Sequence, residues 1–446
     1  MTSVPAPTWK NFFHYVLPSL GAMVLFSSYT VIDGIFVAKG VSDLALAAVN
    51  LSLPFLNILS GLSVLLTMGT STLCAFALGA GDHKRAEEVF SRTMAVLLVL
   101  SVVITALVCV FTKPLAYLLG ARELTMGYAS QYLHIVCLFS VCFLLSYCLE
   151  VMVKVDGRPV LAVIGVAVSA VVHVGLDYIF IFRFGWEVRG SALATGLAQL
   201  GSLLFFLGYF LSGKSNLRFR RFPLHLGYLK RILPLGVADC SIEFMLGFLT
   251  LVYNHVILRT MGEAALPIYA VIAYLSLIVS MVMQGIAQGM MPLVSLAVGH
   301  GNSGAVRSFF RKCLVTVAAA AVLVELICQL APGAVVSLLL EGDNTLFPEA
   351  VSALRQYAPS YLFAGFSIAL AGYFAALGWG GASVVQSVGR GFVLLPAALL
   401  AVMALTGGAG IWWAALLGEA LSLALGLWLL RRGLTAQNDS SMIRST

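Results

Sequence analysis

Residues 12–37 read FFHYVLPSLGAMVLFSSYTVIDGIFV, an apolar run that carries one carboxylate, Asp33, four places from its end. As a helix this run would reach about 39 Å at 1.5 Å per residue. A hydrocarbon core is about 30 Å thick, so the run reads as a membrane span. An acid inside a span costs ~2.5–3.5 kcal/mol on insertion scales and more in simulations. Chains keep such a group where it does work, usually holding an ion or relaying a proton. A second case is Asp177, late in the apolar run 159–182.

The whole chain shares this character. Of 446 residues, 60% are hydrophobic and 10% charged, against about 25% charged in soluble domains. Twelve spans are expected, near 12–37, 46–78, 90–111, 127–151, 159–182, 190–212, 231–258, 265–298, 312–333, 352–377, 383–406 and 411–430. The fold class is therefore an all-α polytopic membrane protein. The net charge of +7 follows from topology and not from nucleic-acid binding. With the N-terminus inside, 19 of the 26 basic residues fall on the inner side, among them Lys84, Arg85, Arg158, the Arg218–Arg221 run and Arg390. That bias puts both termini in the cytoplasm, in a multi-pass plasma-membrane protein. The 218–221 run reads as a solvated linker touching anionic headgroups. The first apolar stretch is too long for a signal-peptide core. The eight cysteines lie singly within spans, with no CxxC pair and no metal-ligand spacing. No cofactor or metal centre is expected.

The polar stretch from Ser212 to Arg231 divides six spans from six, and the halves echo each other. Leu17-Pro18 recurs as Leu233-Pro234, 216 residues later. Gly79-Ala80-Gly81-Asp82 recurs as Gly299-His300-Gly301-Asn302 at an offset of 220, each copy leading into a short basic amphipathic stretch. Gly157 pairs with Gly378 at 221, and Gly190 with Gly410 at 220. An even number of spans per half makes the repeats parallel, related by an axis along the membrane normal. The expected organisation is an N-terminal six-helix lobe over 1–212, a cytoplasmic linker over 213–230 and a C-terminal lobe over 231–446. That is a transporter architecture, working as a monomer.

Several stretches carry a resemblance: Asp33-Gly34-Ile35-Phe36-Val37, Ala45 to Asn50, Gly79 to Asp82, Asp156-Gly157-Arg158-Pro159 and Gly190 to Thr195. In their order and spacing the chain resembles the multidrug and toxic compound extrusion (MATE) transporters. Tyr29, Asp33, Asp177 and the Ala-Thr at 194–195 resemble the DinF-like bacterial and archaeal branch. Asn254, Gly262, Gly285 to Gly289 and Pro292 resemble a MepA-like subgroup. The resemblance implies export of drug-like, lipophilic and cationic small molecules in exchange for H+ or Na+, with Asp33, Asp177 and Thr195 matching residues implicated in ion coupling. It implies no enzymatic activity.

Depth leads to the same residues. Asp33, Asp177 and Thr195 each lie about four or five residues from the outer end of their spans. One turn deeper come Tyr29, His173 and Gln199, each sharing a helix face with its partner four residues away. Two buried carboxylates can share a proton and release it when water arrives. The bland alternative is a local Asp177–His173 pair, with Asp33 bonded to Tyr29 or to backbone. Relatives commonly carry Asn where this chain has His173 and Pro where it has Tyr178. An amide oxygen suits Na+ and an imidazole does not, which tilts the reading to H+ while leaving Na+ open.

The second half lacks this cluster: Leu249, Ala398 and Ala415 stand at the repeat positions. Its acids include Asp239 and Glu243, four apart on one face, and Glu419. Asp239 and Glu243, with Gln199, Asn254, Met281, Gln284 and Gln288, are candidates for a substrate cavity, since adaptable apolar walls with a few acids suit cationic drugs. Glu150, one turn before Lys154, is either a gate ion pair or a cavity acid. No HExxH, GxSxG or phosphate-loop pattern supports an enzyme. The rival reading is a flippase of lipid-linked oligosaccharide from the same superfamily. Such a protein would line its cavity with several Arg or Lys, and here none is placed at mid-span.

Overall fold

In hydrocarbon a backbone has no water to bond, so apolar runs of this length close their hydrogen bonds helically. The computed structural model describes residues 5–221, 226–262, 265–338, 345–408 and 410–443; within them some side chains, including those of 26–31, are not described. No strand occurs among the described residues. The helices of the first half are α1 (Trp9–Gly40), α2 (Asp43–Gly79), α3 (His83–Leu118), α4 (Glu123–Leu138), α5 (Ser140–Val155), α6 (Pro159–Asp177) and α7 (Glu187–Leu211). Those of the second are α8 (Leu229–Thr260), α9 (Leu266–Gly299), α10 (Ser303–Leu330), α11 (Pro332–Val336), α12 (Phe347–Tyr357), α13 (Tyr361–Ala376), α14 (Gly380–Val388), α15 (Leu395–Thr406) and α16 (Ala414–Ile443).

Ten helical stretches are long and apolar enough to cross a membrane, and the bent pair α4–α5, broken by 52° at Phe139, makes eleven. That is the count among the described residues, against twelve expected; α1, part of which lies outside the description, is not in it. The basic stretches after Asp82 and Asn302 are the first turns of α3 and α10.

The repeated Gly-x-Gly-Asp/Asn is a reversal between helices. Gly81 and Gly301 have φ of +78° and +73°, a left-handed conformation that Gly adopts without a Cβ penalty. The next residue then caps the following helix. Asp82 Oδ1 accepts from Arg85 N at 3.0 Å, and Asn302 Oδ1 from Ala305 N at 2.9 Å. Asp82 N donates back to the Ala77 carbonyl, and Asn302 N to that of Ala297. A two-stage sequence signal, glycine and then a capping side chain, thus builds the same turn twice.

Contacts divide the chain into two units: Met1–Gly236 with Ser295–Ala305, and Val237–Val294 with Val306–Thr446. The start of α8 and the end of α9 therefore group with the first unit. Within that unit α1 packs on α6, α6 on α7, and α2 on α3, α4 and α5. Small residues let helices approach, as where Ala48, Ala116, Ala121 and Ala129 gather around Leu133. The tightest approaches use glycine. A Cβ on Gly79 would come within 2.2 Å of the Leu296 carbonyl oxygen, and one on Gly299 within 2.1 Å of that of Phe76. Both partners are separated by the repeat offset of 220.

The stretch after α7 is tied to the helices of the first half, while residues 218–221 themselves are exposed. Asn216 donates through its backbone N and its side-chain Nδ2 to Asp156 Oδ1, both at 2.9 Å. Arg220 pairs with Glu87 at 3.1 Å, and the Phe219 ring packs on Phe90. Asp156, just after α5, is thus an anchor for this stretch.

In the second unit α13 packs on α14 and α16, and α15 on α16. Arg390 departs from its expected place at the inner side. It lies ten residues into the stretch Gly380–Thr406, in a π-helical turn over Gly389–Leu394, and is buried. Its Nε and Nη2 donate to the two carboxylate oxygens of Glu419 at 2.8 and 2.7 Å. A fork-to-carboxylate pair satisfies both charges together. Removing one partner of such a pair costs about 3–5 kcal/mol, whereas replacing both with apolar groups is close to neutral. Glu419→Leu is therefore expected to lower the thermal unfolding temperature of the detergent-solubilised protein sharply, and the double variant Arg390→Met/Glu419→Leu to recover most of the loss. Equal losses in both would show that the pair carries no mutual compensation.

Candidate functional site

Asp33 is held late in α1, His173 and Asp177 in the last turns of α6, and Ser191 and Thr195 in the first turns of α7. Helix α6 does not end at Asp177 but passes into a π-helical turn, Tyr178–Arg183. Such turns are frequent at functional sites. Here the turn follows directly on the acid.

The three helices bring the side chains into one buried cluster. Ser191 Oγ donates to Asp33 Oδ1 at 2.8 Å. Thr195 Oγ1 lies 3.0 Å from both the Ser191 carbonyl oxygen and His173 Nε2. His173 Nε2 lies 3.4 Å from Asp177 Oδ2. Asp177 is fully buried and His173 nearly so. Asp33, His173 and Asp177 each offer one ligand-type atom, and these atoms lie within 4.8 Å of one another. Chemically, the group can share one proton or close around one small cation.

Other expected residues fall as follows. Tyr29 has a side chain outside the described residues. Gln199 is one turn from Thr195 along α7 and accepts from Ser146 Oγ of α5 at 2.9 Å, so it joins α5 to α7. Glu150 pairs with Lys154 at 2.8 Å, and that lysine is buried. In the second unit Asp239 Oδ1 accepts from Gln288 Nε2 at 3.3 Å. Asp239, Gln284 and Gln288 are all buried, a polar cluster between α8 and α9 and not an open wall. Met283 and Met291 face Gly365 and Gly372 of α13 as core filler. Glu243, Asn254 and Met281 are half-buried. Ser191 was not foreseen as a site residue; its clue was its place four residues before Thr195, on the same face of α7.

The MatE family model matches residues 18–179 and 240–399. The chain belongs to the MATE family. The two matched stretches begin 222 residues apart, in step with the internal repeat. Multidrug export protein MepA of Staphylococcus aureus (strain bovine RF122 / ET3-1) is 26% identical over 442 residues, covering 97% of this chain and 96% of that protein. MepA of Staphylococcus saprophyticus is 27% identical over 440 residues, covering 96% and 95%. Among solved structures, a MATE in complex with MaL6 superposes with a TM-score of 0.89 at 20% identity, covering 96% of this chain and 97% of that one. An outward-facing MATE multidrug resistance transporter of the MOP superfamily gives 0.88 at 21%, with 96% of each covered. These structures share the fold.

The Ser191 hydroxyl is a donor to a buried carboxylate. Removing it by Ser191→Ala should cost about 1–3 kcal/mol, read as a drop of a few degrees in thermal unfolding, and Ser191→Thr should restore it. An unchanged unfolding temperature would mean that Asp33 is satisfied elsewhere.

Proposed function

We propose that this MATE-family transporter is a secondary active antiporter that exports lipophilic, cationic small molecules in exchange for H+ by alternating access. In this reading it works as a monomer in the plasma membrane with both termini in the cytoplasm. The observation that carries the reading is the buried cluster of Asp33, His173, Asp177, Ser191 and Thr195. An acid pair has no packing reason to sit together in an apolar bundle. A carboxylate and an imidazole this close titrate as a unit, so water entry can change their shared proton count. Asp33 and Asp177 carry the exchanged ion, while His173 and Thr195 orient Asp177 and close the ring. The imidazole favours H+ over Na+, for which oxygen ligands are the usual choice. The names of the relatives, multidrug export proteins, support drug-like substrates. The flippase alternative is not favoured. Arg390, which lies within a span, is already neutralised by Glu419 and offers no free cation for a pyrophosphate.

Efflux of a fluorescent cationic drug from proteoliposomes, with pH and Na+ gradients imposed separately, tests this. An acidic exterior should drive export in the wild type. Asp33→Asn and Asp177→Asn should each reduce it at least tenfold with membrane expression kept, since an amide fills the space but releases no proton. His173→Asn should weaken the pH dependence. Full export driven by Na+ at equal pH, indifferent to a protonophore, would reject proton coupling. Normal export in both aspartate variants would reject the site.

A further inference from the structure

Away from that cluster, α3 carries a feature the transport reading does not use. Between Arg92 and Lys113 the helix has no charged residue over positions 93–112. Those residues span about 30 Å at 1.5 Å each, the thickness of a hydrocarbon core. Lys113, the next residue, is thereby set at the headgroup level of the leaflet where α3 ends. It does not stand there alone. Helix α3 bends at Phe111, whose φ/ψ of −110°/26° leaves the helical range. Beside the bend opens a cleft of about 680 Å3 lined by Lys113, His134 of α4 and Arg189 of α7. All three are exposed. Gln131 Oε1 accepts from Arg189 Nε at 2.8 Å and Thr112 Oγ1 meets His134 Nδ1 at 3.3 Å, so two of the three are held by neighbours at the cleft wall.

The side of the cleft toward the membrane is apolar. Val99, Val103, Leu107 and Val110 follow one another at helical spacing along α3, between 48% and 73% exposed, and Val110 itself lines the cleft. The surrounding α3 segment is only 22% buried. Trp186, against the adjoining face of Arg189, is an aromatic of the kind enriched at the membrane interface. Basic side chains at phosphate height, continuous with an exposed aliphatic track, match a molecule with an anionic head and acyl tails. We infer that this cleft between α3, α4 and α7 is a binding site for one anionic phospholipid, its phosphate between Lys113 and Arg189 and a tail along Val99–Val110. Basic pockets between spans bind lipid headgroups on the cytoplasmic side, and the same pairing of cation with phosphate is available at the outer end of α3, where this cleft lies. The inference stands independently of the coupling ion and of the substrate.

The test uses the full chain purified in detergent, with phosphatidylglycerol or phosphatidylcholine added back and bound lipid counted by native mass spectrometry. The wild type should retain phosphatidylglycerol over phosphatidylcholine. Lys113→Gln/Arg189→Gln should weaken that binding roughly tenfold or more, since each cation near a headgroup contributes to attraction. Lys113→Gln alone, which leaves the Arg189–Gln131 bond in place, should show part of the loss and guards against misfolding of the double variant. A photoactivatable phosphatidylglycerol should label the 99–110 stretch in the wild type and not in the double variant. Undiminished phosphatidylglycerol binding in both variants would overturn the proposal. So would displacement of the lipid by millimolar inorganic phosphate, which would make the cleft a site for free anions.

Discussion

Every charge that this chain takes into hydrocarbon has to be answered inside the protein, because no water is there to answer it. The described structure meets this demand in distinct ways. Arg390 and Glu419 cancel each other in a bidentate fork, and Glu150 and Lys154 do so along one helix. Asp33 is answered by a hydroxyl and Asp177 by an imidazole. The first two arrangements are electrically closed. The last two are not, since a hydroxyl carries no charge and an imidazole carries one only when protonated.

The repeat recurs in the turns of the scaffold and not in the chemistry. Both halves build the glycine-plus-cap reversal at Gly81 and Gly301. Yet Leu249, Ala398 and Ala415 stand where the first half has Asp33, Asp177 and Thr195. The second half also carries a π-helical turn, at Gly389–Leu394, but hangs an arginine from it and closes it with Glu419. The same local irregularity thus follows a buried acid in one half and carries an ion-paired arginine in the other.

Much of this was legible beforehand because its causes are local. Span length, glycine turns and capping residues act within a few positions of chain, so composition and spacing carry them. The depth argument also grouped Asp33, His173, Asp177 and Thr195, since helical rise converts sequence position to height. What stayed hidden depends on rotation or on distant partners. Arg390 reads as a span-end cation until the widened turn and Glu419, 29 residues on, are placed beside it. Ser191 reads as a small helix-packing residue until Asp33, 158 residues away, is brought to it. The docking of Asn216 and Arg220 likewise needs Asp156 and Glu87, which no local pattern links to them.

The reciprocal glycine contact has a consequence for origins. Gly79 lies against the carbonyl of Leu296 as Gly299 lies against that of Phe76, and each member maps to the other by the same offset of 220. One residue type meeting one carbonyl, twice, with roles exchanged, is an isologous contact, the kind formed by two identical subunits about a two-fold axis. A single six-helix ancestor could have made it as a homodimer with no new residue. Gene fusion would then have preserved an interface already selected, and freed one copy to lose its acids.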